Sequence, residues 1–319
     1  LFLLLTFLLS SLAFSDGTWT GDISVDKDKV IVRGSVTATV SASYDPDDPD
    51  IQQEIEDGKA TIEYEYNWTT SGQITSGGGT KDRWCVVKFS SPSSSVNSDW
   101  IKCEVVAKVI YTDEDGNKSQ VDSSSITYQA NITVFKVEIK DGNGIDEPEK
   151  YIPEGGSRSY KAVVYPSDLT GSFSWSKEPP DTDKIEISSG GNNCSVSGLN
   201  VGSATLKVKF TPGVSEAEDS IEVIVYEIVQ NDELWWFNGA DAANYSEEIT
   251  LTANGLPSGI FKWEVVSGAD KVDFGNGSDT QITTANSVTV KSTGASLLCK
   301  DVKIQLIYNG DFLSTYSIT

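Results

Sequence analysis

After Gly202 the residues Ala204, Leu206, Val208 and Phe210 alternate with Ser203, Thr205, Lys207 and Lys209. Successive side chains of a strand point to opposite faces, so this period of two makes one face apolar and the other wet. That is a strand of a half-solvated antiparallel sheet. Gly198 and Gly202 bracket Leu199 to Val201 just before it. A chain crossing between strands is expected to need, at both glycines, backbone angles that a side chain would obstruct.

The same sentence is repeated three times, each time around a tryptophan. In the first unit the strand carrying Trp68 is followed by CVVKF at Cys85 to Phe89 and IKCEVVAKVIY at Ile101 to Tyr111. The hairpin turn DEDGN at Asp113 to Asn117 then leads to a last strand near Ser125 to Val134. The second unit gives SFSWS around Trp175, then CSV at Cys194 to Val196, ATLKVKF, the turn TPG at Thr211 to Gly213, and IEVIVYEI. The third gives FKWEV around Trp263, SVTV at Ser287 to Val290, DVKIQLIY, a turn at Asn309 to Asp311, and FLSTYSIT. Polar neighbours, Asn67 and Thr69 at the first tryptophan and Lys262 and Glu264 at the third, send the indoles inward as core. No helical period is convincing anywhere after the leader. The chain is expected to be all-β, each unit of roughly seven strands forming an immunoglobulin-like β-sandwich.

The units are expected at 16–134, 135–226 and 227–319, the last cut short at its C-terminus. No linker rich in Pro, Gly or Ser divides them. Ile126 to Lys140 and Ser220 to Phe237 each read as the last strand of one unit running into the first of the next, which implies an extended array with little slack.

The middle unit, about Val134 to Tyr226, carries Gly155, Gly156 and Ser157, then Tyr165 and Pro166, Ser174 to Ser176, and Gly198, Gly202, Ala204, Thr205 and Leu206. In these residues it resembles the bacterial immunoglobulin-like domains of group 2, the modules of invasin and intimin-type surface proteins. The first and third units depart from this signature, Ser94 to Ser98 and Thr293 to Ser296 standing where the glycine turn would be. The resemblance implies extracellular tandem modules used as spacers or adhesive stalks, with no catalytic residue to transfer.

Composition narrows the chemistry. With 47 acidic against 24 basic residues the net charge is -23, which repels nucleic acid and anionic membranes and favours divalent cations. Histidine is absent, and with it the usual general base and the commonest zinc ligand. The expectation is a protein that is not an enzyme and needs no cofactor. The apolar run Leu1 to Leu12, followed by Ala13, Phe14, Ser15 and Asp16, reads as a secretory signal peptide over 1–15, too short to span a bilayer. The mature chain is expected outside the cell or at its surface, without membrane insertion and as part of a longer polypeptide.

Candidate sites remain of three kinds: the cysteines, the acidic loops and a pair of tryptophans. Cys85 and Cys103 both belong to inward-facing sets, which leaves two readings open, a disulfide or two buried thiols; Cys194 faces inward with no partner in its own unit. Of three acidic loops, DPDDPD at Asp45 to Asp50 reads as a solvated loop and DEDGN as a hairpin turn. The third, DGNGIDEPE at Asp141 to Glu149, lies between units, where Asp141, Asn143, Asp146 and Glu147 could hold calcium. Trp235 and Trp236 are consecutive, so on a strand they face opposite ways and one must be a ligand-binding or junction aromatic. The functional expectation is a stalk, spacer or adhesive segment binding a protein or glycan. The alternatives are a carbohydrate-binding accessory region of a larger enzyme, or a filament subunit that keeps its apolar N-terminus.

Overall fold

The computed structural model describes residues 17–145, 148–231, 248–293 and 302–318, so the leader 1–15 lies outside the described residues. By their contacts the residues form two compact units. One runs up to Lys136 and includes Val164–Gly171 and Thr211–Ala217; the other comprises Val137–Val163, Ser172–Phe210 and the chain from Glu218 on.

The first unit is built from β1 (Thr18–Val25), β2 (Lys29–Ile31), β3 (Ser35–Asp45), β4 (Ala60–Thr70), β5 (Gln73–Gly77), β6 (Trp84–Lys88), β7 (Asp99–Thr112) and β8 (Lys118–Asp141). One sheet has the order β1-β3-β6-β5; in the other β4 pairs β7, β7 pairs β8, and β2 pairs β8 in parallel. In immunoglobulin terms these are A-B-E-D and C-F-G with a parallel A′ strand beside G, and Trp68 sits on strand C. The alternation in β7 works as read: Ile101, Cys103, Val105, Ala107 and Val109 are all fully buried. Ile101, Cys103 and Val105 pack with Val36, Ala38, Cys85, Val87 and Trp68 into one core, while Ala107 and Val109 join Tyr44 and Ala60 in a second cluster.

The second unit repeats this order twice. Strands β9 (Tyr151–Pro153), β10 (Ser157–Tyr165), β11 (Ser172–Glu178), β12 (Ile185–Gly190), β13 (Asn193–Gly198), β14 (Gly202–Thr211) and β15 (Ala217–Gln230) follow β8. Their orders are β8-β10-β13-β12 and β11-β14-β15, with β9 parallel to β15. Then come β16 (Glu248–Asn254), β17 (Phe261–Ser267), β18 (Val272–Asp273), β19 (Thr280–Thr283), β20 (Ser287–Ser292), β21 (Lys303–Tyr308) and β22 (Asp311–Ser317). These give β15-β16-β20-β18 and β19-β17-β21-β22. Strands β8 and β15 thus each end one repeat as G and begin the next as A. Trp263 is wholly buried among Leu251, Phe261, Leu306 and Tyr308.

Two sequence expectations are corrected. DPDDPD is not simply a solvated loop, because it opens the helix α1 (Pro49–Glu56). Asp48 caps it, its carboxylate accepting from the amides of Asp50 at 2.9 Å and Ile51 at 3.5 Å, and Pro49 fills the first turn where no amide donor is needed. Ile51 and Ile55, one turn apart, then pack on Tyr44, Ala60, Ala107 and Val109. Gly198 is a glycine for a different reason from Gly202. Gly202 has a φ of 138°, whereas a Cβ on Gly198 would lie 3.0 Å from Val225 Cγ1 and 3.1 Å from the Pro153 carbonyl. The first demands an angle and the second demands room.

Candidate functional site: paired clamps on the terminal strands

The short parallel strands are where the repeat is most exact in its bonding. Lys29, Val30 and Ile31 of β2 lie beside Thr133, Val134 and Phe135 of β8; Tyr151, Ile152 and Pro153 of β9 lie beside Ile224, Val225 and Tyr226 of β15. In the first pair the Thr133 amide donates to Asp28 O at 2.8 Å and the Val32 amide to Phe135 O at 2.9 Å. In the second the Ile224 amide donates to Lys150 O at 2.8 Å and the Glu154 amide to Tyr226 O at 2.7 Å. The central side chains Val30, Val134, Ile152 and Val225 are buried.

Each clamp is closed by the same turn. Gly34 donates to Ile31 O at 2.8 Å, and Gly156 to Pro153 O at 2.8 Å. The third residue of each turn has a positive φ, 69° at Arg33 and 73° at Gly155, while the second does not, which defines type II. The turns are then stitched to strand E or its end. The Arg33 amide donates to Phe89 O at 2.7 Å and the Gly155 amide to Gly198 O at 2.9 Å; return bonds run from Phe89 to Gly34 O and from Gly198 to Gly156 O. A pull along strand G therefore loads its bonds to A′ in shear, all together, where an end-on pull on a hairpin would open them singly.

The thiols are unbridged. Cys85, Cys103 and Cys194 are free and buried, so of the two readings the disulfide between Cys85 and Cys103 is not the one present. Cys85 belongs to strand E and Cys103 to strand F, opposite Trp68, on facing sheets of one core. Burial pushes the Cys85 and Cys194 thiols up to about 11, and burial together with nearby Cys85 pushes Cys103 up to about 12. They stay protonated and unreactive at neutral pH.

At the acidic loop, Asp141 and Asn143 are described; Asp146 and Glu147 lie outside the described residues. Asp141 Oδ1 accepts from the amides of Asn143 at 3.0 Å and Ile145 at 2.6 Å, which shapes the loop. Among the described residues no three of the residue types His, Cys, Asp and Glu gather into a metal-binding group. DEDGN is the hairpin turn expected between β7 and β8: Asp113 accepts from the Asn117 backbone amide at 2.7 Å and its side chain at 3.0 Å, and these bonds hold its carboxyl below the usual range. Trp235 and Trp236 lie outside the described residues.

Residue-type reasoning missed the clamps, although a signal was present. Gly155-Gly156-Ser157 belongs to the signature of the middle unit, and Arg33-Gly34-Ser35 holds the same place in the first.

No protein-family model and no curated protein matches the chain. Solved structures similar to it are tandem-domain proteins. Three N-terminal domains of the highly immunogenic outer capsid protein of bacteriophage RB49 share 12% identity over 94% of this chain and 95% of that one, with a TM-score of 0.32. The D00-D0 domain of intimin shares 10% identity over 64% of this chain and all of that one, with a TM-score of 0.32. The Escherichia coli adhesin FdeC shares 14% identity over 94% and 96% of the two chains, with a TM-score of 0.24. The overlap is low in all three. The fold rests on strand order: this is a tandem array of immunoglobulin-like β-sandwiches.

Proposed function

We propose that the protein is a non-enzymatic, secreted or cell-surface chain of three immunoglobulin-like modules, meeting near residues 134 and 226, that serves as a force-resisting stalk, spacer or adhesive segment. Its partner is a protein or glycan at the surface. The observation that carries this reading is the A′–G clamp, made twice with the same donors, acceptors and turn. A module whose terminal strand is held in shear suits a chain that is pulled through its ends.

Single-molecule stretching of the whole chain tests it. Val32→Pro suits the second position of a type II turn but deletes the amide that bonds Phe135, and Glu154→Pro does the same opposite Tyr226. Each variant should lower the rupture force of one module while costing only about 1 kcal/mol at equilibrium. Rupture forces equal to those of the wild type would refute the clamp's role.

A further inference from the structure

The first unit holds a cleft of about 560 Å³ beside the Arg33 turn, lined by Arg33, Gln73, Lys88, Ser90, Ser91 and Asp99 among others. Clefts of roughly this size, 300 to 1,000 Å³, take small ligands. Acids outnumber bases in the chain by 47 to 24, yet among the described residues neither Arg33 nor Lys88 pairs with a carboxylate. The side chains of Gln73, Ser90 and Ser91 likewise make no hydrogen bond among the described residues. Asp99 is the one acid in the lining, and its Oδ2 accepts from the buried Ser93 hydroxyl, which in turn accepts from the Val134 amide at 2.7 Å. Two cations against one acid leave the cleft locally positive. Distant acids act weakly on it, because charges separated by more than about 8 Å are screened at physiological salt.

Arg33 is also in an unfavourable backbone position. Its φ of 69° lies in the left-handed region, which disfavours any side chain, and the matching turn of the next repeat has Gly155 there. The turn itself would be served better by glycine. What arginine adds is a guanidinium with five donors at the cleft rim.

We propose that this cleft binds an oxyanion, the sulfate, phosphate or carboxylate of an acidic saccharide, with Arg33 and Lys88 holding the charge and Gln73, Ser90 and Ser91 meeting sugar hydroxyls. The proposal goes beyond the force-resisting reading and does not depend on it. Isothermal titration of the full chain with sodium sulfate, sodium phosphate and a sulfated disaccharide tests it. Saturable binding is expected, weakened about tenfold or more by Arg33→Gly or by Lys88→Gln. Arg33→Gly should meanwhile melt no lower than the wild type, because glycine relieves the turn. A disaccharide that binds more tightly than the inorganic ions supports the saccharide as the source; equal affinities support recognition of the bare oxyanion. If none of the three probes binds, or if both variants bind like the wild type, the proposal is overturned.

Discussion

Shortening the central tryptophans to phenylalanine separates burial from hydrogen bonding. Trp68 is 8% exposed and its Nε1–H donates to Asp82 O at 2.9 Å; Trp263 is fully buried, and its Nε1 has no partner among the described residues. Trp→Phe removes roughly 50 Å² of ring surface, about 1.3 kcal/mol at about 25 cal/mol per Å². At position 68 the lost bond adds about 1 kcal/mol, for a total of about 2 to 2.5 kcal/mol. At position 263 the removed N–H was already buried without a partner, a state costing about 1 to 3 kcal/mol, so the change should fall between about neutral and about 2 kcal/mol stabilising. The more deeply buried tryptophan is therefore the cheaper to change. The modules need not unfold together, so the assay is urea titration followed by NMR signals assigned within each repeat. Trp175→Phe should behave like Trp68→Phe, since Trp175 Nε1 donates to Gly191 O at 3.2 Å. A cost at 263 exceeding that at 68 by 1 kcal/mol or more would refute the reasoning.

Further outcomes follow from the cap, the glycines, the thiols and the acidic loop. Asp48→Ala should cost about 1 kcal/mol in the first repeat by uncapping α1, seen as a lower urea midpoint at unchanged slope. Gly255→Ala should lower the thermal midpoint by several degrees, because φ is 85° there and a Cβ would meet Val225 O at 2.5 Å. The folded thiols of Cys85, Cys103 and Cys194 hold protons to about pH 11 to 12, whereas unfolded thiols release theirs near about 8.5. The folded state then binds more protons in that window, so these groups' contribution is complete below about pH 8.5 and is lost as pH rises toward 11. Cys194→Ala should flatten the alkaline fall of urea stability, and an identical fall would count against it. Calcium held by Asp141, Asn143, Asp146 and Glu147 would raise the melting temperature in a chelator-reversible way, and an unchanged melting curve would remove the cation from the account.

Legibility followed the period of the side chains. The alternations at Cys85 to Phe89, Ile101 to Val109 and Ala204 to Phe210 predict the buried faces, and the neighbours of Trp68 and Trp263 predict their burial, because each depends only on the next residue along a strand. What depended on backbone angle or close approach was harder to read. Asp48 and Pro49 were a helix start inside a run of acids, hidden because eight helical residues show only one apolar pair, Ile51 and Ile55. Strand β2 is three residues long and shows no period at all, so its parallel pairing comes from β8 and not from its own sequence. Arg33 gave no warning of its left-handed angle, since only comparison with Gly155 exposes it.

Amide hydrogen exchange of the intact chain tests the repeated clamp most directly. The amides of Thr133, Val32, Ile224 and Glu154 each bond across a parallel terminal pair, whereas Val214, between β14 and β15, is 93% exposed and its amide bonds nothing among the described residues. The clamp predicts that all four exchange only with unfolding of their own repeat, at rates matching buried strand amides such as those of Val105 and Leu206, while Val214 exchanges freely. Clamp amides that exchange as fast as Val214 under native conditions would contradict it.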